Sequence, residues 1–155
     1  MTADETLNEL LVKLFKDIME IEGHCLVCEQ FKDITYNDFH VIEAIGIQEP
    51  KNMTDIAKLL RITTGTLTKA IGGLSDKGYV SRERSKKDKR VVWISLTDKG
   101  REAYAHHEGF HRKMIAQAKG QLTEQETTIL IYSLAKLIDY FGDEYGEAEE
   151  ERKMK

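Results

Sequence analysis

The run His106-His107-Glu108-Gly109-Phe110-His111 is the densest concentration of ligand-type side chains in this 155-residue chain. His107 and His111 stand four residues apart, so a helix through them places both imidazoles on one face, where they can share a metal ion. His107, Glu108 and His111 also satisfy the pattern H-E-x-x-H, in which two histidines hold zinc and the glutamate serves as general base for peptide hydrolysis. That chemistry further requires a third ligand, an open coordination position for water and a substrate cleft. Other ligand-type residues gather in the first third of the chain: Glu22, His24, Cys25, Cys28, Asp38 and His40. A site closed by four protein side chains would hold or sense a metal instead of hydrolysing a substrate.

The elements that position these residues follow from hydrophobic spacing. Leu7, Leu11, Leu14, Ile18 and Ile21 form one stripe of a first helix ending near Gly23. Thr35, followed by Asp38, is an N-cap for a second helix running to the turn around Pro50. A helix carrying the histidine run starts near Thr97, and Thr123-x-x-Glu126 is a capping box opening a last helix with Ile129, Leu130, Leu134, Leu137, Ile138 and Phe141 on its apolar face. Beyond that face the chain is a charged tail expected to fray. A single proline in so long a chain fits a mainly helical fold.

Between residues 53 and 100 the pattern changes. Met53, Ile56, Ala57 and Leu60 face inward on a short helix, a tight turn follows, and Leu67, Ile71 and Leu74 face inward on a second helix stopped by Gly78. Next come a strand near Tyr79–Arg84, a basic loop, and a strand with Val92, Ile94 and Leu96 on one face. Helix, turn, helix and basic-tipped hairpin make a winged helix-turn-helix.

Charge supports that reading once it is divided along the chain. The net charge is -4, but residues 1–49 carry -8, residues 50–100 carry +7 and residues 101–155 carry -3. A local basic island, not the whole-chain balance, decides whether phosphate is attracted. Thr64, Gly65, Thr66, Thr68 and Lys69 lie near the start of the second helix, suited to base edges and phosphates, and Lys86, Lys87, Lys89 and Arg90 in the wing reach backbone phosphate or the minor groove. All five histidines fall outside this island.

An acidic N-terminus and the lack of a long apolar stretch argue against secretion and membrane insertion. Two cysteines are too few for a disulfide framework and agree with a reducing cytoplasm, the expected location. The organisation expected is a helical dimerisation and ligand segment over residues 1–34, a winged helix-turn-helix over 35–100, long dimerisation helices over 101–145 and the charged tail over 146–155.

Asp88-x-Arg90, five intervening residues, and Leu96-Thr97-x-x-Gly100 resemble the wing-and-exit signature of the MarR family of dimeric transcriptional regulators. LLRITTGTLTKAIGGLSDKGYV is similar to that family's recognition-helix segment, and the flanking helices to its dimerisation region. Gly72-Gly73 inside the recognition helix departs from the pattern, at a cost of about 1 kcal/mol each relative to Ala. The resemblance implies a homodimer that binds a pseudo-palindromic double-stranded operator as a repressor.

Within the family, Glu22, His40 and the later His107/His111 pair resemble the primary zinc site of the AdcR/ZitR-like repressors. That resemblance implies a Zn(II) site of Glu22, His40, His107 and His111, with zinc as corepressor of zinc-uptake genes. Affinity order alone leaves Zn(II), Co(II) and Ni(II) open. For a second site Cys28 matches a cysteine of that subfamily, but Phe39 stands where a carboxylate ligand belongs and His106 where another does. Cys28 and His106, with Cys25 or Asp38, could hold a second ion; Cys25-x-x-Cys28 could equally be an oxidant-responsive thiol pair or two inert cysteines. The alternatives for the whole chain are a regulator released by a small organic ligand, a thiol redox switch, and an H-E-x-x-H peptidase.

Overall fold

The computed structural model describes residues 1–26 and 28–153, with side chains described through residue 143. It divides into two compact units, Met1–His111 and Arg112–Lys155. Helix α1, Ala3–Leu26, opens the first unit with Asp4 and Glu5 in its first turn, where carboxylates complement the helix dipole. It passes through Gly23, beyond the expected end, and buries only Glu22 and Leu26. Leu7, Leu14 and Ile21 of the apolar stripe are exposed, as are Leu10, Phe15 and Met19.

Helix α2, Tyr36–Ile45, is fixed at its start by a complete capping box between Thr35 and Asp38. It stops well short of Pro50 because Gly46 turns out of the helix at φ 71° while its N–H still bonds Ile42. Lys51 Nζ then donates to the Ile45 carbonyl at 2.6 Å, a cation on a helix C-terminus.

Helices α3, Met53–Leu60, and α4, Thr64–Asp76, form the helix-turn-helix. Arg61 ends α3 in the left-handed region, φ 53° and ψ 42°, with its N–H directed at the carbonyls of Ala57 and Lys58. For a side chain other than glycine that conformation costs about 1–2 kcal/mol. Thr63 caps α4 by accepting the Thr66 N–H at 3.2 Å, and Leu67, Ile71 and Leu74 are its buried residues. The glycine pair leaves α4 unbroken, and a Cβ at either position would meet open space.

The expected hairpin is present as β2, Val80–Arg84, and β3, Val92–Leu96, paired antiparallel from Val80↔Leu96 to Arg84↔Val92. A two-residue strand β1, Lys51–Asn52, adds to the other side of β3, giving the order β1-β3-β2. This strand is not foreseen in the sequence, since two polar residues beside a proline show no alternation. Leu26, Phe31, Phe39, Ile42, Ile45, Ile56, the inner face of α4, Tyr79, Ile94 and Ala103 make one core.

Helix α5, Asp98–Lys119, leaves the wing through Thr97, whose hydroxyl donates to the Gly78 carbonyl at 2.6 Å and accepts the Gly100 N–H at 3.1 Å. A Cβ at Gly100 would collide with the Tyr79 carbonyl, so the close approach of α5 to β2 requires glycine. Tyr79 is fully buried, its hydroxyl donating to Asp33 Oδ1 at 2.6 Å and its ring lying under Lys99.

In the second unit, α6, Glu124–Lys153, starts at the capping box of Thr123 and Glu126. Its Ile129, Leu130, Leu134, Ile138 and Phe141 are exposed. The backbone is helical to Lys153, so α6 runs through most of the stretch expected to fray, while the side chains of 144–153 and residues 154–155 lie outside the described residues. Among the described residues no helix is long and apolar enough to cross a membrane.

Candidate functional site

Three of the four expected metal ligands converge. Glu22 comes from α1, His107 and His111 from successive turns of α5, and Glu22 and His107 are 3% and 2% exposed. His107 Nε2 lies 2.8 Å from Glu22 Oε1, His111 Nε2 lies 2.9 Å from the same oxygen, and the two imidazole nitrogens are 2.9 Å apart.

This triangle cannot be satisfied by protons on the imidazoles alone. Each ring nitrogen carries either a hydrogen or a lone pair. If both nitrogens donate to Glu22, two N–H groups oppose each other; if one donates to the other, the acceptor turns a lone pair toward the carboxylate. With neutral histidines and an ionised glutamate, one edge is always unfavourable. A cation shared by the three lone pairs satisfies all of them, and two imidazoles with one carboxylate are an ordinary donor set for zinc. Zinc bonds of about 2.0–2.1 Å in a tetrahedron hold ligand atoms about 3.3 Å apart. The donor set therefore fits after opening by roughly half an ångström.

His40 is not in this triangle. Tyr36, His40 and Glu43 occupy positions i, i+4 and i+7 of α2 and so share a face. Tyr36 is the one that reaches Glu22, donating from its hydroxyl to Oε2 at 2.9 Å. The His40 ring stands edge-on to both Tyr36 and His107, with Nδ1 3.6 Å from Glu43. Glu43 lies 3.8 Å from Nδ1 of His107, so His40, Glu43 and His107 form a second ligand-type group sharing one imidazole with the first. Neither Tyr36 nor Glu43 was singled out in the sequence; their spacing from His40 is the signal that could have found them.

Burial of Glu22 works against ionisation, but the hydrogen bonds from His107 and Tyr36 and the charges of His111 and His107 outweigh it and hold the carboxyl below its ordinary pKa. Burial and then the Glu22 hydrogen bond push the Tyr36 phenol up to about 12, keeping it a donor.

The residues considered for a second ion are dispersed in role. Cys25 is exposed and Cys28 half-buried, both as free thiols. Asp38 is occupied by the Thr35 cap, and Phe39 is in the core. His106 stacks against Phe31 and Phe39, with Nε2 buried and unpartnered among the described residues. No ligand-type group found among the described residues contains Cys25, Cys28, Asp38 or His106.

At the basic unit, Thr64, Gly65, Thr66, Thr68 and Lys69 are all exposed on the first turns of α4. Two hydroxyls are already engaged: Thr66 pairs with Thr63 at 3.0 Å and Thr68 donates to the Thr64 carbonyl at 2.7 Å. Asp88 organises the wing by accepting the Arg90 N–H at 3.0 Å and its Nε at 3.2 Å, which holds the Asp88 carboxyl below its ordinary pKa. The Arg90 side chain is 93% exposed, and Lys86, Lys87 and Lys89 flank it.

Residues 26–106, the stretch from the end of α1 through the wing into α5, match the family model of the transcriptional regulator SarA/Rot. The chain belongs to the SarA/Rot family of transcriptional regulators. The family is MarR-like in its winged helix, and its members are non-enzymatic. The peptidase reading of H-E-x-x-H is thereby removed; in agreement, Glu108 is exposed while His107 is buried. The crystal structure of Streptococcus pneumoniae FabT in complex with DNA superposes with a TM-score of 0.86 at 33% identity, covering 90% of this chain and 97% of that one. The transcriptional regulator SarZ of Staphylococcus saprophyticus is 36% identical over 103 residues, 64% of this chain and 68% of SarZ. A mutant of MarR from Escherichia coli matches at TM-score 0.60 and 27% identity over 83% of this chain and 96% of its own. This SarA/Rot member is thus a helix-turn-helix transcriptional regulator with a three-stranded winged sheet.

Proposed function

We propose that this SarA/Rot member is a homodimeric, operator-binding repressor whose DNA affinity is raised by a divalent metal, with Zn(II) the ion that best suits the donors. The observation that carries the metal reading is the triangle of Glu22 Oε1, His107 Nε2 and His111 Nε2, three atoms mutually 2.8–2.9 Å apart. Tyr36 orients Glu22 from outside, and Glu43 lies 3.8 Å from the far nitrogen of His107, beyond hydrogen-bond reach but on the side where a carboxylate would orient a metal-bound histidine. His40, from α2, is the available fourth ligand after a shift of its ring. Control of zinc-uptake genes is what the AdcR/ZitR-like resemblance adds.

Exposed apolar residues on α1 and, separately, on α6 supply material for contacts between protomers. A dimer on DNA must offer its recognition helices to successive major-groove faces about 34 Å apart. Metal bound between α1 and α5 restrains the start and finish of the DNA-binding unit together, which narrows the range of spacings available to it. Linkage then requires operator DNA to tighten metal binding by the same factor that metal tightens DNA binding.

The test is operator binding by the purified full chain, first with chelator and then across a zinc titration, with bound metal counted. The expected result is one ion per protomer and a rise in affinity of about 5- to 150-fold. Equal DNA affinity with and without zinc refutes the metal dependence and leaves the triangle as a structural tie between α1 and α5.

A further inference from the structure

Arg61 occupies a position whose backbone favours glycine. It closes α3 in the left-handed region at φ 53°, the sole non-glycine residue with positive φ among the described residues. Glycine adopts such a conformation at no steric cost and asparagine at a reduced one. The departure has no local compensation from the side chain: the Arg61 guanidinium is exposed and makes no hydrogen bond, ion pair or ring contact among the described residues. The backbone N–H bonds to Ala57 and Lys58 are available to any residue type except proline.

Strain retained without an internal benefit points outward, to something the side chain meets in use. Arg61 lies two residues before Thr63, the cap of α4, at the same end of that helix as Thr64, Gly65 and Thr66. It also belongs to the segment of net charge +7. A long, permanently charged side chain beside the end of a recognition helix meets the phosphates at the edge of the major groove that the helix enters.

We infer that Arg61 is a DNA phosphate contact made from the helix-turn-helix turn, kept at the expense of fold stability. This rests on the DNA-binding reading and adds to it an anchor independent of the wing. Because phosphate is the same in every sequence, the contact contributes to all DNA alike and carries a share of the salt dependence.

The experiment compares full-length wild type, Arg61→Gly, Arg61→Asn and Arg61→Lys for thermal melting and for binding to a random-sequence duplex of about three helical turns across a salt series. Arg61→Gly is expected to melt about 2–4 °C higher yet bind several-fold more weakly, with the salt slope reduced by about one. Arg61→Asn should lose the same slope, and Arg61→Lys should retain it. Opposite signs in stability and binding are the signature, since a variant that merely damaged the fold would lose both. If Arg61→Gly and Arg61→Asn keep wild-type affinity and slope while Arg90→Ala lowers them, the Arg61 contact is refuted and the DNA-binding reading stands. If wild type itself shows no salt-dependent binding, both fall.

Discussion

Replacing Glu22 by Gln tests the triangle with the smallest change of shape. The carboxylate receives Tyr36 on Oε2 and faces both imidazoles with Oε1, and it is 3% exposed. An amide offers one acceptor oxygen and places an NH2 on the other side, so it can keep the Tyr36 contact or the imidazole contacts but not all of them unchanged. Hydrogen bonds to a charged group contribute about 1.5–3 kcal/mol, and losing one such contact should lower the melting temperature in chelator by about 3–12 °C at fixed protomer concentration. The pH dependence has a definite sign. Glu22 is held below its ordinary pKa, so its contribution is present above the unfolded-state carboxyl range and is lost as pH falls through the lower folded value. The gap between wild type and Glu22→Gln should therefore shrink as pH falls below about 4. Zinc at about a hundred times its dissociation constant should stabilise wild type by about 2.7 kcal/mol, and most of that rise should vanish in Glu22→Gln. Differential scanning fluorimetry with and without zinc reads both effects. A variant with an unchanged melting point in chelator and an undiminished zinc response would remove Glu22 from the site.

Arg90→Ala should weaken binding to all DNA sequences and reduce the salt slope by about one, measured by fluorescence anisotropy over a salt series; an unchanged slope would detach the wing from phosphate. Gly100→Ala should prevent α5 from seating against β2, because its Cβ would collide with the Tyr79 carbonyl, and a variant with the wild-type melting point would show that this approach is not tight. Leu14→Glu, on the exposed stripe of α1, should give monomers in sedimentation while leaving the core intact, and an unaltered oligomeric state would place the protomer contact elsewhere.

The parts of the fold that were legible are those where one residue type has a single local use. Thr35 with Asp38 and Thr123 with Glu126 are capping boxes wherever a helix follows, and both occur. Val92, Ile94 and Leu96 alternate because one side of the wing lies on the core. Gly78, at φ 82°, supplies the turn from α4 into β2. What escaped depended on tertiary placement. Strand β1 exists only because β3 has an unpaired edge beside it, and Lys51 and Asn52 carry no strand signal of their own. Gly46 ended α2 before the proline because a left-handed exit was combined with Lys51 reaching back to Ile45.

The ligand cluster divides along the same line. His107 and His111 were legible as a pair because four residues make about one helical turn, and their imidazoles do share a face of α5, with Nε2 atoms 2.9 Å apart. Glu22 is 85 residues from His107 in the chain, and only the resemblance joined them; the fold places them 2.8 Å apart. The same resemblance put His40 beside Glu22, but α2 presents Tyr36 there and sets His40 against Glu43 and the far side of His107. The difference has a mechanical consequence. With Tyr36 on Glu22 and Glu43 near Nδ1 of His107, α2 touches the triangle from both ends without entering it. A cation that drew the His40 ring inward would tie α2 to the triangle, and α2 packs directly against α3 and α4 of the helix-turn-helix. On the proposed metal-binding reading, His40 is the ligand that would link the ion to the helix packed on the DNA-binding unit.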